Sequence, residues 1–188
     1  MRVLVALALV LRAVGRGDEA ATRFRQAIEI NPQVIAACRL WFKLPADNDK
    51  LSVILGDAQE VAAHDHWRHR IDHLHVDLYD HQAAAPVLDS PEFYADCRNL
   101  LTDIGVMAVN LFGRSHQFDR SQSHIVQAFQ GGGVWTFKPT REGNTVVLAA
   151  RNPREHSRAT WLAQAEEIER LWPALPATRW VKALSSVS

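Results

Sequence analysis

Apolar residues fill Val3–Leu11 without a break, the pattern of a strand buried on both faces. A short helix is expected over Asp18–Gln26, with Asp18 as its cap, and a second strand over Ala27–Ile30. Asn31 followed by Pro32 marks the next helix start. The Asn side chain can accept a first-turn N–H, and Pro at the first helical position gives up a donor the helix cannot use. That helix runs to about Phe42 and places Val34, Ile35, Cys38, Leu40 and Trp41 at roughly helical spacing. Residues 46–49 form a polar loop, Leu51–Leu55 a strand closed by Gly56 and Asp57, residues 64–70 a charged, His-rich loop, and Leu74–Asp77 the next strand.

The second half continues the alternation. Ser90 caps a helix over Pro91–Leu101, Gly105 is expected to break the chain, and Val106–Leu111 forms a strand. A helix over Gln117–Phe129 ends before the turn Gly131-Gly132-Gly133. Val134–Lys138 and Thr145–Ala150 then pair as an antiparallel hairpin across the polar turn TREGN. An amphipathic helix spans about Ser157–Leu171, with Trp161, Leu162, Ala165, Ile168 and Leu171 on one side, and the tail from Pro173 reads as irregular. Strands alternating with helices predict an α/β, doubly wound Rossmann-like sheet, mostly parallel, with a C-terminal antiparallel hairpin.

Length and charge narrow the picture. The 188 residues make one domain, or one domain with a small appendage, and 47% hydrophobic content is enough for a core. Basic and acidic residues number 21 each, so no electrostatic footprint for nucleic acid exists. Cys38 and Cys97 fall in predicted helices among apolar neighbours, as buried thiols rather than a disulfide. Met1-Arg2 before the apolar run has the outline of a signal peptide, but Arg12 and Arg16 fit its cleavage region poorly. The run is also too short to span a bilayer, so a buried strand and a cytoplasmic protein without a membrane segment are the expectation.

The richest chemistry lies in IDHLHVDLYDHQAAAPVLDSPEFY, residues 71–94. A strand there ends in Asp77, and Asp80 follows three residues later. Ligands of open α/β sheets bind outside the carboxyl ends of strands. Two acids at such a place can grip a cation and take a proton from it, which points to an enzyme acting on an amine.

Four segments carry a resemblance over about Ala27–Arg151: AIEINPQVI (27–35), LSVILGDA (51–58), VDLYDHQAAAPVLDSPEFYADCRNLLTDIGVMAVNLFG (76–113) and VWTFKPTREGNTVVLAAR (134–151). In this order and spacing they resemble the catalytic domain of spermidine synthases, the polyamine aminopropyltransferases, and above all bacterial spermidine synthase-like proteins. The resemblance implies the fold of class I S-adenosylmethionine-dependent methyltransferases. It implies transfer of an aminopropyl group from decarboxylated S-adenosylmethionine to an amine such as putrescine, leaving methylthioadenosine. No tightly bound cofactor and no metal take part in that reaction. The division that follows is 1–26 for an altered first strand and glycine-loop region, 27–151 for the catalytic domain and 152–188 for a C-terminal helix and tail.

The same resemblance distributes roles. Asp77 matches the catalytic acid, which binds the attacking amine or accepts its proton. Asp80 would hold the same or a neighbouring nitrogen, with Tyr79 lining the pocket; the plainer alternative is a pair of caps and a packed ring. Glu29, ending the second strand, would accept hydrogen bonds from the ribose hydroxyls, unless it is simply an acid ahead of a helix. Asp57 would take the adenine amino group and the Ala58 amide would contact the ring, a role compatible with Asp57 as a turn or cap residue. Asn110 ends a strand near the site without an assigned role. A small-molecule polyamine, a nucleoside donor and a second copy of the chain in a homodimer are the implied partners.

Departures from the family pattern stand beside this. Its glycine-rich loop is reduced to Gly15 and Gly17, and Glu29 follows Gly15 by only 14 residues. The family's N-terminal hairpin region is not seen, so a truncated or altered member is expected, and an inactive or binding-only protein is the first alternative. Residues 15–32 also resemble half a tetratricopeptide repeat, but one repeat cannot bury its own face. A second alternative comes from His73, His75 and Asp77, which alternate along one strand and so share a face. HLHVDLYDH resembles the HxHxDH motif of zinc-dependent metallo-β-lactamase-fold hydrolases, although Leu78 stands where that motif has His.

Overall fold

The computed structural model describes residues 3–4, 25–79, 88–112, 116–153 and 157–187. In chain order the elements are β1 (Val3–Leu4), β2 (Arg25–Glu29), α1 (Pro32–Trp41), β3 (Leu51–Leu55), α2 (Ala58–Ala63), β4 (Ile71–Val76), β5 (Leu78–Tyr79), α3 (Pro91–Leu100) and β6 (Leu101–Phe112). They continue with α4 (His116–Ala128), β7 (Gly133–Thr136), β8 (Asn144–Ala150), α5 (Arg158–Leu171), α6 (Ala177–Ala183) and β9 (Ser185–Ser186). A 3₁₀ turn over Asp65–Trp67 sits inside the His-rich loop.

β2 and β3 form a parallel pair, with Glu29 opposite Leu55. A five-stranded mixed sheet runs β4-β6-β8-β7-β9, in which β4 and β6 are parallel and the remaining neighbours antiparallel. Side chains alternate across this sheet. Leu74, Val76, Met107, Val109, Val147 and Ala149 point into a core completed by Phe93, Tyr94, Cys97 and Leu100 of α3 and by Ile125 and Phe129 at α4. α2 closes the same core with Ala58 and Ala62, and Ile28 of β2 packs against it. His73, His75, Val106, Ala108, Val146 and Leu148 lie on the opposite face and are only half-buried. α5 sits over the β7 side of that face, where Trp161 meets Trp135 edge-on.

Local chemistry explains the well-predicted helices. Asn31 Oδ1 accepts from Gln33 N at 2.9 Å, with Pro32 at the first position of α1. Ser90 Oγ accepts from Phe93 N at 3.1 Å, and Ser157 Oγ from Thr160 N at 3.1 Å. The apolar spacing of α1 does not signal burial, however. Leu40 and Trp41 are 72% and 76% exposed, and among the described residues α1 packs mainly on β2.

Several expectations change. Arg25 and Gln26 belong to β2 rather than to a helix, and the rest of Asp18–Gln26 lies outside the described residues, as do Gly15 and Gly17. Of the predicted first strand Val3–Leu11, only β1 is described, and it pairs antiparallel with β5. Gly105 does not break the chain. β6 starts directly after α3 and passes through Gly105, with an irregular register between Ile71–Leu101 and His73–Val106. A Cβ at Gly105 would lie 2.8 Å from the Ile71 carbonyl oxygen, so glycine permits this close passage. The tail is not irregular: α6 and β9 occupy it, and β9 extends the sheet beside β7. Cys97 is buried and Cys38 half-buried, both as free thiols. Burial among apolar side chains pushes the Cys97 thiol well above the usual thiol range.

Candidate active site at the strand ends

In each of two parallel pairs, β2–β3 and β4–β6, the chemically interesting residues stand at or near the strand ends. β2 ends in Glu29, β3 runs into Gly56 and Asp57, β4 runs into Asp77, and Asn110 lies near the end of β6. The Gly56 amide donates to the Glu29 carbonyl at 3.1 Å, which holds the Asp57 turn against the end of β2.

Glu29 is 4% exposed, and its Oε1 accepts from the Asn31 amide at 2.7 Å. A carboxylate just ahead of α1 is favoured by the partial positive charge of the helix start. Asp57 caps α2, its Oδ1 accepting from Gln59 N at 2.8 Å. Ala58 opens that helix and is buried. First-turn N–H groups such as that of Ala58 have no partner within the helix and are suited to contact a ligand. The cap reading of Asp57 therefore holds, and it leaves room for a ligand role as well.

Asp77 is exposed and stands at the rim of a cleft of about 250 Å³ lined by His75, Ala108, Asn110 and Val146. Asn110 Nδ2 donates to Asp77 Oδ1 at 3.1 Å. Neighbouring parallel strands thus deliver a carboxylate and an amide that fixes its rotamer. Sequence reasoning gave Asn110 no role; its register beside Asp77, set by Val76 opposite Val109, is the signal that pairing supplies. Half-burial, then the charge of His73, hold the His75 imidazole below the usual histidine range, so it is neutral at pH 7. The Tyr79 backbone is part of β5, whereas its side chain and all of Asp80 lie outside the described residues.

Asp89 was also missed. Its side chain is 6% exposed and accepts from Tyr94 Oη at 3.2 Å and from Arg120 Nε at 3.3 Å. The His124 Nδ1 lies 3.0 Å from its carbonyl oxygen. These contacts tie the start of α3 to α4. The order Asp-Ser-Pro shows a helix start but not this cross-helix network.

The metal alternative finds no ligand set. His73, His75 and Asp77 do share a face, yet among the described residues no three of His, Cys, Asp and Glu converge to hold an ion.

Strands alternating with helices, with acids at the strand ends, make an α/β fold of the class I methyltransferase type. Solved structures agree on the fold. Human methyltransferase-like protein 13 in complex with SAH is 21% identical, covering 77% of this chain and 69% of that one with a TM-score of 0.63. A probable spermidine synthase from Corynebacterium glutamicum is 20% identical, covering 84% and 59% with a TM-score of 0.57. Spermidine synthase from Thermotoga maritima is 18% identical, covering 68% and 45% with a TM-score of 0.52. No protein-family model matches the chain. Among curated proteins, a polyamine aminopropyltransferase of Neisseria meningitidis is 31% identical over 132 residues, 70% of this chain and 49% of its own length. One from Chromobacterium violaceum is 28% identical over 146 residues, 76% and 54% respectively. Over this region the chain is similar to the spermidine synthase-like family. It spans about half the length of the curated relatives it matches.

Proposed function

We propose that this chain is a transferase that moves an aminopropyl group from decarboxylated S-adenosylmethionine to an amine such as putrescine. The observation that carries the reading is Asp77, held by Asn110 at the rim of a cleft at the end of β4. Glu29 receives the ribose hydroxyls, and Asp57 with the Ala58 amide receives the adenine. Asp77 binds the acceptor nitrogen, with Asp80 and Tyr79 completing the acceptor site.

The reaction is an in-line displacement. The amine lone pair forms a bond to the carbon next to the sulfonium, the carbon–sulfur bond breaks with its electrons passing to sulfur, and neutral methylthioadenosine leaves. The proton of the acceptor ammonium goes to Asp77 or, through it, to solvent. A carboxylate is a weak base beside an amine, so the proton departs before attack and alignment supplies most of the acceleration. The reading includes a homodimer and a cytoplasmic location. No helix among the described residues is long and apolar enough to cross a membrane.

Calorimetric titration with methylthioadenosine tests the donor half. Binding that weakens in Glu29→Ala and Asp57→Ala supports it, and a folded chain that does not bind rejects it. Release of methylthioadenosine in the presence of putrescine tests transfer. Asp77→Asn should lower turnover by about 10²-fold or more while nucleoside binding persists. Nucleoside binding without turnover would leave a binding-only family member.

A further inference from the structure

A second cleft, of about 900 Å³, opens between the β7–β8 connection and α6, and it goes beyond the proposed transfer reaction. Lys138 and Arg141 line one wall, and Arg179 and Trp180 the other. Trp180 is 45% exposed, which leaves part of its flat ring accessible. Among the described residues no carboxylate pairs with Lys138, Arg141 or Arg179. Glu142 is the one acid in the lining, and hydrogen bonding to its own backbone and to Thr140 holds its carboxyl below the usual range, so it stays charged and offsets one of the three cations. Three cations against one acid, in a chain of zero formal charge, are a local positive excess that composition hides.

Both walls are fixed before any ligand arrives. Across the connection, Thr140 N donates to the Asn144 carbonyl at 2.8 Å and Asn144 N to Thr140 Oγ1 at 3.2 Å, while Gly143 takes a φ of 98° to close the turn. α6 is held to α5 at both ends. Glu169 Oε1 accepts from Thr178 N and Thr178 Oγ1, each at 2.8 Å. Arg158 donates to the carbonyls of Val181, Lys182 and Leu184. Preorganised walls reduce the ordering cost of binding.

We infer that this cleft is a binding site for an organic anion with a flat aromatic body, its negative group between Lys138, Arg141 and Arg179 and its ring against Trp180. A polycationic amine is repelled there, so the occupant is not the proposed acceptor. Val146 lines both this cleft and that of Asp77, so the occupant lies alongside the proposed acceptor site.

The probe is phenyl phosphate, titrated at low ionic strength into the ¹⁵N-labelled full chain while its six tryptophan indole N–H signals are followed. The Trp180 signal is assigned with Trp180→Phe. The expected result is a saturable shift of that signal, weakened by added salt. Arg141→Gln or Arg179→Gln should each weaken binding about two- to fivefold, the scale of one exposed ion pair. Inorganic phosphate should compete only at higher concentration. The inference is overturned by the absence of a saturable Trp180 shift, by equal binding of uncharged benzyl alcohol, or by unchanged affinity in the double Arg variant of preserved fold.

Discussion

At the scale of residues, the pair Asp77–Asn110 makes a sharper statement than either side chain alone. A carboxylate at a strand end can swing among rotamers, and one aligned hydrogen bond at 3.1 Å restricts it. If Asp77 must face the acceptor nitrogen, Asn110→Leu should lower kcat about tenfold, the loss of one hydrogen bond to a charged group. The KM for the nucleoside donor should stay unchanged, and Asn110→Ser should restore part of the loss; a fall in thermal stability with kcat intact would instead make Asn110 a structural residue. His75 makes a different prediction. Its folded pKa is lowered by burial and by His73, so the unfolded chain binds a proton that the folded chain resists. Stability therefore rises with pH between the lowered value and about 6.5, the ordinary histidine pKa, and falls as acid is added through that window. Melting temperatures between pH 7.5 and 5 should drop less for His75→Gln than for the parent, and parallel curves would refute the assignment.

At the scale of elements, what the sequence made legible follows from where the stabilising information lies. α1, α3 and α5 each begin with a side-chain cap that the chain itself writes, at Asn31, Ser90 and Ser157. β3 and β8 were legible as short β-rich runs between turns. α6 was not, because Pro176 offers no side-chain cap and seven residues are too few to signal a helix alone. Its stability is tertiary, supplied by Arg158 and Glu169 of α5. Removing the guanidinium that serves three carbonyls at the end of α6 should destabilise this element by about 1 kcal/mol or more. Arg158→Met should therefore speed amide exchange in α6 and β9 while α3 and α4 keep their protection; uniform exchange throughout would show that the tether is not local. β6 was misread for a related reason. Glycine reads as a breaker in isolation, and only the passing Ile71 carbonyl shows why it belongs inside this strand. The candidate site was half legible: Asp77, Glu29 and Asp57 stood at strand ends that pattern could find, whereas Asn110 acts through a partner 33 residues away and Asp89 reaches Arg120 across 31.

At the scale of the whole molecule, the proposed site is divided between two sheets. Glu29 and Asp57 belong to the β2–β3 pair, while Asp77 and Asn110 belong to the five-stranded sheet. Among the described residues no strand pairing joins the two sheets. They meet through apolar packing, where Ile28, Ala58 and Ala62 approach Leu74 and Val76. Such a junction is held by dispersion and burial rather than by a hydrogen-bond ladder, and it yields more readily than either sheet. A donor whose nucleoside lies on Glu29 and Asp57 and whose reacting carbon faces Asp77 touches both halves, so its binding energy acts across the junction. Ligand at about 100 times its Kd adds about 2.7 kcal/mol to any opening that releases it. Decarboxylated S-adenosylmethionine, which carries that carbon, should at that excess slow amide exchange in β2 and β3 and also at the end of β4. In Asp57→Ala both effects should disappear together. Protection confined to β2 and β3 would mean that the nucleoside is held by the smaller sheet alone, and the carboxylate of Asp77 would then lie outside the reach of the donor.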